Sequence, residues 1–347
     1  MTLLIMSKCE IRKYKEILIC TFFLTLLGLS TACTSSNSEN VDLVDQKISN
    51  RTEKSLSEIE IENTPVLPVT VIDDLGNEVF IKSVERIIPL DGSVAEVIFA
   101  LGMGDNVVAT DISATWPLEA DKLPKIGYQR ALNAEPIAAF SPTVLLGTEI
   151  AGPPQTIEDL RRLGYPVVII PSNSDPKGPG EKIRAVANAL GLAKRGEVLA
   201  LELDEKIQSA TQNSVGKAKP LVAVLYIRGK GTQLLLGRNS GIYWMIEAAG
   251  GANVADILDV DDYTPITPES LLVANPDLIV VPSAGLESVG GIEGLLQTAG
   301  ISQTKAGISR SIFSYDDQLL LGNGPRTGDL LERLVKDFGA VELVNSD

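Results

Sequence analysis

Histidine is absent from the 347 residues of this chain. Its absence excludes a Ser-His-Asp triad and a Cys-His pair as catalytic centres, because both use an imidazole as general base. It also argues against the His-rich coordination that is usual for zinc in proteins. No pair of carboxylates has a spacing that predicts acid–base catalysis. We therefore expect that the chain is not an enzyme.

Basic surface is also lacking. The formal net charge is -15 and the isoelectric point is about 4.6, which excludes a nucleic-acid partner because phosphate binding needs a basic surface. Hydrophobic residues make up 44% of the chain and charged residues 22%, a globular composition. The length allows two ordinary domains, each with its own core.

Cysteine is scarce, with Cys9, Cys20 and Cys33 as the three copies. Residues 1–32 contain a basic region, a short apolar run and small residues before Cys33, which predicts a secretory signal peptide. Ala32-Cys33 resembles a bacterial lipobox, although Ser30 stands where the usual pattern has Leu. We expect cleavage at Cys33 and lipidation of its thiol, which anchors an exported protein to a membrane and leaves it without a disulfide. The alternative is a plain signal peptide that is cut nearby.

Residues 33–65 are rich in Ser, Asn, Glu and Thr and predict a flexible tether. From Val69 onward, apolar runs alternate with segments of helical spacing. The runs at 69–73 and 78–81 predict a hairpin. Further elements are predicted as strands at 86–90, 107–110, 142–147 and 167–170 and as helices at 93–101 and 156–163. This alternation predicts a parallel sheet that helices cover.

A second set of elements resembles the first. It consists of strands at 221–227, 278–281 and 311–314 and helices at 241–249, 292–299 and 328–338. Residues 135–145 and 269–279 each begin with Glu, have Pro seven places later, and continue into an apolar strand. Gly-Asp-Asn-Val at 104–107 likewise matches Gly-Ala-Asn-Val at 251–254. Two matches in the same order predict a duplicated α/β lobe.

Apolar residues at helical spacing fill 181–210, where Gly191 and Gly196 each cost about 1 kcal/mol relative to Ala. They predict a long or slightly broken helix within a linking segment at 179–215. We therefore predict two Rossmann-like α/β lobes, at 66–178 and 216–347, with mostly parallel sheets and a long backbone helix between them. A cleft between two lobes is a usual place for a small ligand.

Two motifs narrow the choice of ligand: Lys-Leu-Pro-Lys-Ile-Gly-Tyr-Gln-Arg-Ala-Leu-Asn-Ala-Glu at 122–135, and Leu-Leu-Gly-Asn-Gly-Pro-Arg at 320–326. With the export signal and the twin lobes, they resemble the helical-backbone class of periplasmic binding proteins, and most of all its haem-binding members. That class serves ABC importers for haem, siderophores, cobalamin and some metal ions. The resemblance covers residues 66–344.

The resemblance implies that Tyr128 ligates haem iron and that Arg130 supports its phenolate. A phenolate is a hard anionic ligand that suits Fe(III), and Tyr is a known axial haem ligand. Because free Tyr has a pKa near 10, a cation such as Arg130 and the ferric ion itself must favour the anion.

Haem propionates need further cations, for which Arg228, Arg238 and Arg326 of the second lobe are candidates. Arg326 has an alternative role as the start of the final helix after a Gly-Pro turn. Without histidine, the sixth position on iron is vacant or is filled by water, Met or a second Tyr. The candidates are Tyr226, Tyr243, Tyr263 and Met245. The side chains of Trp116 and Trp244 either line the cleft or pack in the core.

Glu135 and Glu269 occupy equivalent first helical turns, after Asn133 and Thr267 as candidate caps. An acidic group there is favourable because it opposes the helix dipole. The resemblance implies that these glutamates also dock with arginines of the importer's membrane subunits. The two roles are compatible.

We therefore expect an exported, lipid-anchored substrate-binding protein that delivers haem to the permease of an ABC importer. ATP hydrolysis belongs to a partner subunit, because the loop at 228–231 lacks the Gly-Lys-Ser/Thr ending of a phosphate-binding loop. One alternative keeps this role but changes the ligand to a ferric siderophore or a corrinoid. Another is an enzyme or a sensor that reuses the same fold.

Overall fold

A computed structural model of the chain describes residues 64–214 and 219–341. The predicted signal peptide, Cys33 and all but the last two residues of the predicted tether lie outside these ranges, so the lipid anchor stays a prediction. Within the described ranges, no helix combines the length and the apolar character needed to cross a membrane.

The first lobe is built from a hairpin and a three-stranded sheet with helices between its strands. Its elements are β1 (Val69–Ile72), β2 (Glu78–Ile81), β3 (Ile87–Pro89), α1 (Gly92–Ala100), α2 (Leu118–Asp121), α3 (Ala134–Ala138), β4 (Val144–Gly147), α4 (Pro154–Arg162) and β5 (Val167–Ile169). β1 and β2 pair antiparallel, and the parallel sheet has the order β3-β4-β5. Every residue of that sheet is buried, as expected where helices cover both faces.

Two helices link the lobes, α5 (Gly178–Ala189) and α6 (Ala193–Gln212). Of the alternatives predicted for 181–210, the broken helix is correct, and α6 with its 20 residues is the long backbone helix. The break is at Gly191, whose φ of 72° is left-handed. The helices then pack antiparallel, so closely that a Cβ added to Gly196 would lie 2.2 Å from the Cβ of Ala187.

The second lobe has a larger sheet. Its elements are β6 (Leu221–Arg228), β7 (Thr232–Leu235), α7 (Gly241–Ala248), β8 (Ala252–Asn253), α8 (Val254–Ile257), β9 (Thr264–Pro265), α9 (Pro268–Ala274), β10 (Leu278–Pro282), α10 (Ser283–Ser288), α11 (Gly291–Leu296), α12 (Lys305–Ser309), β11 (Ile312–Tyr315), α13 (Asp317–Gly322) and α14 (Thr327–Gly339). The sheet order is β11-β10-β6-β7-β9, and β8 also pairs with β6. β6 and β11 are parallel to β10, whereas β7 is antiparallel to both β6 and β9.

Most predicted elements are confirmed, with ends that differ by a few residues. The strand predicted at 107–110 is wrong, because this segment makes only isolated bridges from Val107 to Ile87 and from Thr110 to Lys125. The antiparallel strands β7 and β9 were not predicted.

The duplication predicted from the sequence is also visible in the backbone. In each lobe a short helix, α3 or α9, leads through a proline into a buried parallel strand, β4 or β10. The residue before that proline is left-handed in both lobes, with φ of 48° at Ser141 and 47° at Asn275. A non-glycine residue rarely adopts this conformation, so its occurrence at equivalent positions supports a common origin for the two halves.

One hydrophobic cluster runs through both lobes and the linking helices. It contains Ile98 of α1, Ile183 of α5, Leu203 of α6, Val224 of β6 and Leu334 of α14. Each lobe has a further cluster of its own. Because the central cluster is shared, the lobes are joined by apolar packing as well as by the chain.

The turn at Gly191 gives a test of the linkage between α5 and α6. We expect Gly191→Ala to lower the free energy of unfolding by clearly more than the ~1–2 kcal/mol of left-handed strain, because its Cβ would also lie 2.5 Å from the carbonyl oxygen of Val66. Gly164→Ala is the matched control: its φ of 88° is also left-handed, but nothing lies within 4 Å of an added Cβ. Urea unfolding measures both variants, and equal losses would contradict the steric account.

Candidate ligand-binding site

Tyr128 lies on a loop whose backbone is fixed on both sides. The amide of Ile112 donates to the carbonyl of Gly127 at 2.9 Å, and the amide of Gly152 donates to the carbonyl of Gln129 at 2.8 Å. Gly127 has a φ of 110°, a conformation that favours glycine. The Tyr128 side chain is 39% exposed, so a well-positioned loop presents a phenol to solvent.

Arg130 follows two residues after Tyr128 and is exposed. Within the described ranges, neither the guanidinium of Arg130 nor the phenol of Tyr128 makes a hydrogen bond or an ion pair. Both groups are therefore available to a ligand.

The second lobe repeats this arrangement at the end of β6, where Tyr226 and Arg228 are also two residues apart. Their side chains share one face of the strand, and the Arg228 guanidinium carbon lies 4.4 Å from the centroid of the Tyr226 ring, a cation–π contact. Arg228 also forms an ion pair with Asp317, whose second carboxylate oxygen accepts from the amide of Ala284 at 3.0 Å. Arg228 is therefore held in place by protein partners.

The two Tyr-x-Arg pairs influence each other electrostatically across the lobes. Partial burial raises the pKa of Tyr226, Arg228 opposes this rise, and the charges of Tyr128 and Arg130 in the other lobe also contribute. Tyr263 meets the ring of Tyr226 edge-on, with centroids 6.2 Å apart. Partial burial also raises the pKa of Tyr263, which stays 46% exposed, and Arg130 opposes that rise. Tyr128 and Arg130 of the first lobe are thus near enough to Tyr226 and Tyr263 of the second lobe to influence their ionisation.

The other two predicted propionate ligands already have carboxylate partners. Arg238 contacts three aspartates, Asp256, Asp259 and Asp261, at 3.1, 3.0 and 2.8 Å. Arg326 donates to both oxygens of Glu96, at 3.0 and 2.8 Å. Both guanidiniums are therefore engaged within the protein.

The remaining aromatic and sulfur candidates have structural roles. Trp244 and Met245 are buried in the core. Tyr243 donates to Asp256 at 3.0 Å, and burial together with this bond raises the pKa of Tyr243 to about 12, which disfavours its phenolate. Trp116 is 43% exposed, and its ring lies 4.8 Å from the guanidinium carbon of Arg326.

Glu135 and Glu269 are both exposed in the first turns of α3 and α9. The capping prediction is confirmed for Thr267, which accepts from the amide of Ser270 at 3.1 Å. It is wrong for Asn133, whose side chain makes no capping bond.

A buried carboxylate adjoins the Tyr128 loop and was not predicted from the sequence. Asp111 has no exposed surface and precedes Ile112, whose amide binds Gly127. One Asp111 oxygen accepts from the amide of Ser113 at 2.9 Å, and the other has no partner in the described part of the chain. Burial raises the pKa of Asp111 to about 7; Ser113 and Lys125 oppose the rise, and Asp91 adds to it.

A model of the periplasmic binding protein family matches residues 87–319. The chain belongs to this family. The solved structure of the periplasmic haem-binding protein RhuT from Roseiflexus sp. RS-1 is 44% identical; the match covers 74% of this chain and 98% of that one, with a TM-score of 0.73.

Curated relatives are more distant in sequence. The ABC transporter substrate-binding lipoprotein YvrC of Bacillus subtilis is 23% identical, over 80% of this chain and 87% of that protein. The vitamin B12-binding protein of Vibrio cholerae is 22% identical, over 72% of this chain and 87% of that protein. Family membership agrees with the twin-lobed fold and with a non-enzymatic role as the binding component of an importer.

The sequence analysis did not pair Tyr226 with Tyr128. It treated Tyr226 as one of four equal candidates for a second iron ligand and Arg228 as a propionate ligand. The signal was present in the sequence, because Tyr-Gln-Arg at 128–130 and Tyr-Ile-Arg at 226–228 share one spacing in the two duplicated lobes.

Asp111 predicts a pH dependence of stability. Because folding raises its pKa from an ordinary value of 3.8 to about 7, the folded chain retains a proton that the unfolded chain releases between these values, and stability falls as the pH rises through this window. We expect Asp111→Asn to remove this contribution to the loss of stability at higher pH. Urea unfolding at pH 5 and pH 8 should show a stability gain for the variant that grows with pH, whereas exposed Asp105→Asn should run parallel to the wild type. A pH-independent difference for Asp111→Asn would contradict the assignment.

Proposed function

We propose that this protein captures haem between its two lobes and delivers it to an ABC importer. The observation that supports the proposal is the pair of Tyr-x-Arg motifs, Tyr128/Arg130 and Tyr226/Arg228, one in each lobe, of which the first influences the ionisation of Tyr226 in the second. Ferric iron prefers anionic oxygen ligands, and tyrosinate is an established axial ligand of haem. A porphyrin iron offers two axial positions, on opposite faces of a planar ring, which matches two phenols from facing lobes.

Each phenol has a cation suited to stabilise its ionised form. Arg228 lies against the Tyr226 ring and is fixed by Asp317, so its contribution is electrostatic support of the phenolate. Arg130 has no protein partner among the described residues and can support Tyr128 or bind a propionate. Arg238 and Arg326 stay as earlier predictions of propionate binding, but their carboxylate partners argue against that role.

Aromatic contact supports a flat ligand. Tyr226 and Tyr263 form an edge-to-face pair that offers ring surface from the second lobe, and aromatic faces pack well against a macrocycle. The similarity to RhuT, whose name states haem binding, is also much higher than the similarity to the vitamin B12-binding protein. Those distant relatives keep a corrinoid as the second candidate ligand.

Export and docking complete the proposed role. The relative YvrC is a lipoprotein, which supports lipidation at Cys33 as the membrane anchor. Glu135 and Glu269 are exposed at equivalent places in the two lobes, as expected for two points that bind a two-fold permease. We infer that arginines of the permease pair with them.

Hemin titration tests the ligand. The wild type should shift the Soret band of hemin, and Tyr128→Phe should lower affinity by more than the roughly 10–100-fold that loss of an outer-shell partner costs at metal sites. Tyr226→Phe should change the coordination spectrum, because it removes the second phenol. Tyr243→Phe is the control, since its hydroxyl binds Asp256, and it should behave like the wild type.

The same titration separates the alternatives. Cobalamin and a ferric siderophore should fail to displace hemin at equal concentration. Displacement by cobalamin would replace haem by a corrinoid as the ligand, and a Tyr128→Phe spectrum identical to that of the wild type would remove Tyr128 from the iron.

Docking is tested separately from binding. We expect Glu135→Arg combined with Glu269→Arg to leave the hemin spectrum unchanged and to lower haem uptake through the cognate importer by roughly ten-fold or more, because like charges then face the permease. Glu158→Arg, at an exposed position of α4, is the matched control. Normal uptake by the double variant would exclude these glutamates as docking residues.

A further inference from the structure

Gln318 is a buried side chain of the second lobe that forms hydrogen bonds with the first lobe. It lies on α13 with 7% exposure, and its amide nitrogen donates towards the carbonyls of Gly92 and Trp116 at 2.8 and 3.0 Å and towards Glu96 at 3.1 Å. Its amide oxygen accepts from the backbone amides of Thr115 and Trp116, both at 2.8 Å. One side chain thus forms hydrogen bonds with backbone groups of Gly92, Thr115 and Trp116.

A second contact reinforces the same place. Glu96, whose side chain is 6% exposed, also accepts the two-pronged pair from Arg326, and the Arg326 guanidinium stacks on Trp116. Gln318 and Arg326 of the second lobe therefore meet Glu96 and the Trp116 segment of the first. Charge-assisted paired bonds of this kind have a strict geometry.

The residue before Gln318 belongs to the ligand site. Asp317 forms the ion pair with Arg228, which lies against Tyr226. On the first-lobe side, the segment that Gln318 contacts continues back to Ile112, whose amide binds the carbonyl of Gly127 beside Tyr128. A short series of direct contacts therefore connects the two Tyr-x-Arg pairs through Gln318.

We propose that Gln318 is a positioning residue that sets the separation of the two Tyr-x-Arg pairs, and through it the residence time of the ligand; this rests on the haem-binding function proposed above. Only an amide offers donors and an acceptor at this place. Glutamate would lose the donors and place a second negative charge against Glu96, and leucine would leave the partly buried amides of Thr115 and Trp116 without this acceptor. Either change removes hydrogen bonds that join the two lobes, at a position outside the proposed ligand contacts.

The test measures lobe separation without ligand and haem release with it. Nitroxide labels on cysteines placed at Glu158 of α4 and Glu287 of α10, both exposed, report the separation by pulsed electron paramagnetic resonance in the full chain with Cys9, Cys20 and Cys33 replaced by Ser. We expect Gln318→Leu to broaden the distance distribution and to raise the haem dissociation rate about ten-fold, the effect of losing buried hydrogen bonds. Asn253→Leu is the matched control, because this amide is 5% exposed and its bond to the Tyr243 carbonyl stays within one lobe. It should lower stability but leave the distances and the haem dissociation rate unchanged.

The outcomes separate this proposal from the proposed function. Unchanged distances, or changed distances with an unchanged dissociation rate, would overturn the positioning role while haem binding stands. A wild type that binds no haem would overturn the function, and the distance measurement would still decide whether Gln318 fixes the lobes. If Gln318→Leu does not fold, Gln318→Glu gives the same test with a nearly isosteric side chain.

Discussion

Polar side chains buried where the two lobes meet need partners from both lobes, and this need constrains how the lobes are arranged. Lys182 of α5 is 1% exposed and donates to the hydroxyl of Ser93 at 3.1 Å and to the carbonyl of Gly322 at 2.9 Å. Burial lowers the pKa of Lys182, and Asp91 is the foremost carboxylate that opposes this. With Gln318 nearby in sequence to Gly322, the linking helix and both lobes share one set of polar contacts. A change in lobe angle would break several of them together, so these contacts favour one arrangement of the lobes.

The proposed ligand site uses the duplication but is not symmetric. Both lobes supply Tyr-x-Arg, yet Arg228 is neutralised by Asp317 whereas Arg130 has no partner among the described residues. Arg228, fixed by its ion pair with Asp317, orients and polarises Tyr226 before a ligand binds. Arg130 can move to contact the ligand. The first lobe therefore offers the adaptable half of the site and the second lobe the preformed half, in keeping with the general value of preorganised groups in binding.

Short sequence patterns predicted those features that depend on residues close together in the chain. Buried parallel strands are continuous apolar runs, so β4, β5 and β10 could be found from sequence. The loop motif singled out Tyr128 as an iron ligand, and that role stays a prediction. The roles of Arg326 and Gln318 could not be found in this way, because their partners Glu96 and Trp116 lie 230 and 202 residues away in sequence. Nothing in the sequence around Arg326 and Gln318 indicates these partners, because the contacts form only in the folded chain. Tyr226 is the intermediate case, since its spacing to Arg228 was visible but its significance required the two lobes to face each other.

Electrostatics helps to choose among ligands. The chain carries a formal net charge of -15, and its field is screened beyond about 8 Å at physiological ionic strength, so the charges inside the cleft matter most for a bound anion. There, Arg228 is already compensated by Asp317, which leaves Arg130 as the cation of the site that has no described partner. In the proposed site, ion pairs with ligand carboxylates alone would therefore give limited affinity, and bonds from phenolate to iron would supply much of the rest. A hexadentate ferric siderophore has no open coordination position to accept a phenolate, whereas ferric haem has two. With one arginine left uncompensated among the described residues, the proposed site binds carboxylates weakly. It therefore favours a ligand whose metal has a free coordination position for a tyrosine.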